Sequence, residues 1–188
     1  MATTLDERIQ RRKEFFASLG DSITAWAAVE QKLFDLFQIA LGADREKSSI
    51  LFWAIPAFSM RLSYTSMFVT HCLKTDANKK TKAQKIWNAL QQDIENLRAV
   101  RNKLVHQPHL EDEIIPTNDE SDVEMIIMKT DMIIPNSLDK RQKFKPIELS
   151  ALLSHKKEVS SILGRLKYFT SQFQDLAQIA SQTFSDIE

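Results

Sequence analysis

Residues 86–108 read IWNALQQDIENLRAVRNKLVHQP. Ile86, Leu90, Ile94, Leu97, Val100 or Arg101, and Leu104 step by three and four, the spacing of one apolar face of an α-helix. Pro108 restricts Gln107 to extended backbone and stops the helix. The last turns of this helix carry Arg101, Asn102 and His106, and a helix end requires none of the three. One reading is structural, since an exposed final turn tolerates polar side chains and the helix dipole favours cations there. The other is chemical: a fixed positive charge, an amide and a titratable imidazole are the groups needed to cleave a phosphodiester.

The remaining sequence sets the frame around this helix. Only three glycines occur in 188 residues, and from Leu5 to His106 the apolar residues recur at helical spacing with few turn signals. Gly20 in Leu19-Gly20-Asp21-Ser22 is expected to end a first helix, with Asp21 or Ser22 capping the next. Ile23, Trp26, Ala27, Glu30, Leu33, Phe34 and Phe37 then form one stripe, which ends near Leu41-Gly42. Ile50 to Leu73 is a further helical region that Pro56 either breaks or opens. Its apolar residues surround the axis, so it is buried on several sides by its own core or by a partner.

Residues 107–147 differ in kind. They hold four prolines, an acidic run from Glu111 to Asp122 and the strand formers Val123 to Met128, for which a short hairpin with the basic stretch Lys140 to Lys145 is expected. From Ile147 to Leu176 a long amphipathic helix closes the fold. The expected fold is therefore all-α: an up-and-down helical bundle in a single domain, residues 1–188, with a small β-containing insertion at 107–147 before the last long helix.

Composition narrows the function classes. Lys+Arg and Asp+Glu both number 25, so there is no long-range field for nucleic acid, and any such binding rests on local patches. The single cysteine, Cys72, fits a reducing, cytoplasmic location and excludes a cysteine-based metal cluster. The amino end is charged from Asp6 and lacks the apolar core of a secretory signal. The most apolar stretch, from Ser48, is cut by Arg61 into runs too short to span a membrane. No phosphate loop is possible with Gly20, Gly42 and Gly164 so far apart. His71, His106, His109 and His155 include no HExxH motif, so neither metal nor cofactor is expected.

On a helix Asn102 and His106 share a face. Arg101 and His106 lie roughly 140° apart around the axis, so one helix cannot aim both at one point. Two copies related by a two-fold axis bring both sets into one cleft. Arg101-Asn102-Lys103-Leu104-Val105-His106 resembles the R-polar-x3-H signature of the HEPN superfamily. These are small helical bundles, commonly metal-independent ribonucleases acting as dimers. The resemblance covers the helical frame, with Trp26 and Glu30 ahead of the motif and the long last helix behind it, and leaves out the insertion.

The resemblance implies attack of an RNA 2′-hydroxyl on the adjacent phosphate, leaving a 2′,3′-cyclic phosphate. His106 would act as general base or acid, Arg101 would hold the phosphate and Asn102 would orient it. Glu30 is a supporting candidate, although an ion pair with Arg101 or Arg61 explains it as well. The implied partners are RNA, a second copy of the chain and, for a toxin or defence effector, an antitoxin or other protein, with no membrane. The competing readings are a non-catalytic dimeric adaptor and a nucleotide- or RNA-binding module of the same fold.

Overall fold

The computed structural model describes residues 5–73, 77–106, 132–133 and 147–185. They form five helices: α1 Leu5–Leu41, α2 Arg45–Ala54, α3 Phe58–Leu73, α4 Ala77–His106 and α5 Leu149–Ser185. The chain divides into two compact units, each fed by α1, α4 and α5. The first comprises Met1–Thr24 and Ala99–Lys157, and the second Ala25–Arg98 and Glu158–Glu188.

The long helices carry apolar seams of heptad spacing. On α1 the seam members, all buried, are Phe15, Leu19, Ser22, Trp26, Val29, Leu33, Leu36 and Ala40, alternating steps of four and three, with Phe34 and Phe37 buried beside them. On α5 they are Leu152, His155, Val159, Ile162, Leu166, Phe169 and Phe173. A repeat of 3.5 residues keeps a seam facing its neighbours over many turns, which is the packing logic of helical bundles.

This seam explains why α1 does not break at Gly20. Leu19 and Ser22 both belong to the seam, and the Ser22 hydroxyl donates to the Ser18 carbonyl at 2.8 Å, so the helix is held on both sides of the glycine. A Cβ at Gly20 meets nothing within 4 Å, and the same is true at Gly164 in α5. Gly20→Ala and Gly164→Ala are therefore each expected to raise stability by about 0.5–1 kcal/mol in urea unfolding, through helix propensity and a less flexible unfolded chain.

Gly42 is a different case, with φ +68. Its N–H donates to the carbonyls of Gln38 and Ile39 and closes α1. Asp44 then caps α2, its carboxylate accepting from the Lys47 N–H at 2.9 Å. That backbone bond, aided by the Lys47 side chain, holds the Asp44 carboxyl below the ordinary aspartate range. A carboxyl lowered on folding stabilises the fold above its unfolded pKa and loses that contribution as pH falls through the folded value. Asp44→Ala should lower the melting temperature at neutral pH, and the difference from wild type should vanish in acid. Ile55, extended ahead of Pro56, ends α2 and separates it from α3.

The core of the second unit draws on all five helices, with Trp26, Leu33 and Phe37 from α1, Phe52 from α2, Leu62 and Val69 from α3, Trp87 and Ile94 from α4, and Leu166 and Phe169 from α5. Trp87 is fully buried and stacks on Phe169 at 5.4 Å. Its indole N–H donates to Ser66 Oγ at 3.0 Å, and that hydroxyl donates to Gln91 Oε1 at 2.6 Å, so the buried polar edge is satisfied. The first unit has a smaller core of Phe15, Leu19, Leu104 and Leu152, with Val100 and Leu149 packed against it. Lys156 pairs there with Asp21.

The described strands form one two-residue antiparallel ladder, Met132 opposite Glu148 and Ile133 opposite Ile147. A pairing this short closes the chain onto the start of α5 and gives no support to a β-containing insertion. The expected hairpin segments, Val123 to Met128 and Lys140 to Lys145, lie outside the described residues.

Candidate functional site

The buried positions of α4 are Trp87, Leu90, Ile94, Leu97 and Leu104, at steps of three, four, three and seven. The position skipped in the last step is Arg101, which occupies the place of a seam residue and is half-buried. Its Nη1 donates to Asn102 Oδ1 at 3.2 Å, so the arginine and the amide of the candidate motif are joined directly. Asn102 is also half-buried, while Leu104 belongs to the first unit's core and Val105 is exposed. His106 closes α4 on the flank of Asn102, and its side chain lies outside the described residues.

This placement sets the local electrostatics. The carboxyl end of a helix presents unpaired carbonyls and the negative pole of its dipole, which disfavours a phosphate. An anion at this end therefore depends on side-chain cations. Arg98, one turn earlier, is held by Glu95 at 2.9 Å through its Nε, and that bond raises its already high pKa. Arg101 and Lys103 are the cations that flank Asn102 in α4. Of these only Arg101 has the planar fork that matches a phosphate.

No family model, curated protein or solved structure matches the chain.

Glu30 lies in the second unit, where it is a structural anchor. Its Oε1 accepts from the Trp26 indole at 2.9 Å and its Oε2 from Arg61 Nη1 at 3.3 Å. Both partners of the ion pair are largely buried, with side chains 13% and 16% exposed for Arg61 and Glu30. The Arg61 guanidinium lies over the rings of Trp53 and Phe52, at 5.1 and 5.7 Å. Of the two partners the sequence allowed Glu30, the structure brings Arg61 to it.

Two polar residues on the seams escaped the sequence reading. Ser22 on α1 and His155 on α5 are both buried in the first unit, and both His155 ring nitrogens are shut off from solvent. The signal was present, because residue 155 sits three after Leu152 and four before Val159, on the seam. Burial raises the pKa of the Cys72 thiol, whose Sγ donates to the Ala40 carbonyl at 3.3 Å, so Cys72 is a packing residue and a poor nucleophile. Among the described residues, no three His, Cys, Asp or Glu side chains converge to hold a metal ion. Nor is any helix among them long and apolar enough to cross a membrane.

Proposed function

We propose that the chain is a HEPN-type helical protein acting as a homodimeric, metal-independent endoribonuclease, with Arg101, Asn102 and His106 as its reacting groups. The observation that carries this reading is the Arg101 to Asn102 hydrogen bond on a half-buried final stretch of α4, in an all-helical frame with His106 one turn beyond Asn102. An arginine oriented by a neutral amide is suited to fix a phosphate and to stabilise the charge that builds on it. The imidazole of His106 takes the proton from the 2′-hydroxyl or delivers one to the leaving 5′-oxygen. The products are a 2′,3′-cyclic phosphate and a free 5′-hydroxyl. Because Arg101 and His106 diverge around α4, the second copy supplies the missing member of each pair across a two-fold axis.

A non-catalytic adaptor is the second reading, and it is favoured by the seam register of Arg101. A half-buried arginine tied to its neighbour also serves to fix how α4 packs. Incubating purified protein with total RNA in EDTA, and assaying the fragments for cyclic phosphate ends, separates the two. Cleavage that disappears in His106→Ala supports the nuclease. Intact RNA at all protein concentrations removes the nuclease.

A further inference from the structure

The second unit carries an outward face that its own core does not use. The inner side of α3 buries Leu62, Thr65, Val69 and Leu73. Its opposite side presents Met60, Tyr64 and Met67, spaced by four and three and 46%, 40% and 63% exposed. Ile50, Leu51 and Trp53 of α2 are exposed as well, and the Arg61 guanidinium links the two helices by covering the Trp53 ring. Apolar side chains grouped in this way mark an interaction site, whereas scattered ones do not.

Charge identifies the kind of partner. The chain is 27% charged, so a helix of 16 residues would carry about four charges, yet α3 has only Arg61, which is turned inward to Glu30. The cores of protein interfaces show this depletion of charge together with methionine and aromatic enrichment. A charged surface would lose its hydration here and gain no counter-charge, so the occupant must be uncharged over the same length.

The same face holds a matching recess. Between α3 and α4 a groove of about 340 Å³ is lined by Ser59, Ser63, Asn88, Gln91, Gln92 and Glu95. The carbonyl oxygens of Asn88 and Gln91 accept from Gln84 and Ser66, and the amide N–H group of Gln92 donates to Asn96. That leaves the amide N–H groups of Asn88 and Gln91, the Gln92 carbonyl and the two serine hydroxyls facing no partner among the described residues. Glu95 Oε2 likewise has no hydrogen-bond partner. A tyrosine suits such a recess, because its ring fills volume and its hydroxyl both donates and accepts. Ser63 and Tyr64 are both exposed on α3 and point about 100° apart around its axis, so the knob stands on the flank of the recess, and a two-fold axis places each knob against the other copy's recess.

We infer that the α2–α3 face is the contact between two copies of this chain, with Tyr64 of each copy seated in the α3–α4 groove of the other. At about 1.5 Å per residue α3 alone is roughly 24 Å long, comparable with the ~28 Å edge of a square patch of roughly 800 Å², the area per partner of a standard interface. The inference shares with the proposed function only the need for a second copy, and it assigns the surface.

Sedimentation across micromolar protein tests it. Wild type is expected to dimerise, and Met67→Lys and Tyr64→Ala to weaken dimerisation by on the order of 10-fold to 100-fold each, with unchanged helical circular dichroism. Tyr64→Phe should fall between, since it keeps the ring and loses the hydroxyl. A wild-type protein that stays monomeric overturns the inference, as does a dimer indifferent to both Met67→Lys and Tyr64→Ala. RNA cleavage by the same variants keeps the two readings apart. A Met67→Lys monomer that still cuts upholds this face and removes the shared cleft, whereas Met67→Lys and Tyr64→Ala proteins that both remain active dimers remove this face and leave the nuclease.

Discussion

His106→Ala is expected to lower EDTA-resistant RNA cleavage by about 10² or more, the scale for loss of a general acid or base. Arg101 needs a subtler series than alanine. Because it sits half-buried on the α4 seam, Arg101→Ala should reduce both cleavage and stability, and the two effects would be confounded. Arg101→Lys keeps the charge and much of the aliphatic packing but loses the fork that holds Asn102 and a phosphate together. It should cost on the order of 10-fold or more in turnover with a small change in melting. Asn102→Asp has the same shape and adds a negative charge beside the phosphate, while offering Arg101 a stronger acceptor. The catalytic reading predicts that this variant melts no lower than wild type yet loses RNA binding and turnover together. An Asn102→Asp protein that cuts at the wild-type rate would remove Asn102 and its arginine from the chemistry.

The helical class was legible because the seams are long. Leu90, Ile94, Leu97 and Leu104 of α4 were expected on one face and are buried there, and the long amphipathic helix expected after Ile147 is α5, along which Leu152, Val159, Ile162, Leu166, Phe169 and Phe173 are buried. What misled was local. Gly20 looked like a helix end because Asp21 and Ser22 follow it, and a cap is a short-range signal. The seam through Leu19, Ser22 and Trp26 is a longer-range one, and it prevailed because each of its members is buried. Ile86 was expected in the core and is exposed, while its neighbour Trp87 is fully buried. Ile86 and Trp87 lie four and three residues before Leu90, both helical steps, so periodicity alone does not choose between them, and the acceptor that lets the indole be buried, Ser66, comes from α3. Ile23 was misassigned in the same way, being exposed beside the buried Ser22.

The candidate site was legible as a spacing and illegible as an environment. That Asn102 and His106 share a flank follows from helix geometry. The stripe admitted Val100 or Arg101 between Leu97 and Leu104, and the structure leaves both half-buried, with Val100 packed against the first unit's core and Arg101 bonded to Asn102. The region from Ile50 to Leu73, apolar on all sides, admitted either its own core or a partner. The structure divides it into an inner set with Phe52 and Leu62 and an outer set with Trp53 and Met67.

Glu30 and Arg61 supply the other large expected effect, on stability. Arg61→Met is expected to destabilise the protein by about 3 kcal/mol in urea unfolding, because it leaves a mostly buried carboxylate without its guanidinium. The loss does not come from packing, since methionine can lie on the Phe52 and Trp53 rings as the arginine does. Nor is Arg61 ideally housed in wild type, for its Nε is buried without a hydrogen-bond partner. The charge left on Glu30 is therefore the main cost, and a second substitution should recover much of it. Glu30→Gln removes that charge and keeps an oxygen to accept from the Trp26 indole, so Glu30→Gln with Arg61→Met should regain about 1–2 kcal/mol over Arg61→Met alone. A double variant no more stable than Arg61→Met would show that the ion pair is not what holds this corner of the second unit. The same proteins test the chemical candidacy of Glu30. As a structural anchor, Glu30→Gln lowers stability and leaves RNA cleavage per folded molecule unchanged, whereas a catalytic Glu30 would lose turnover by about 10² or more with the fold intact.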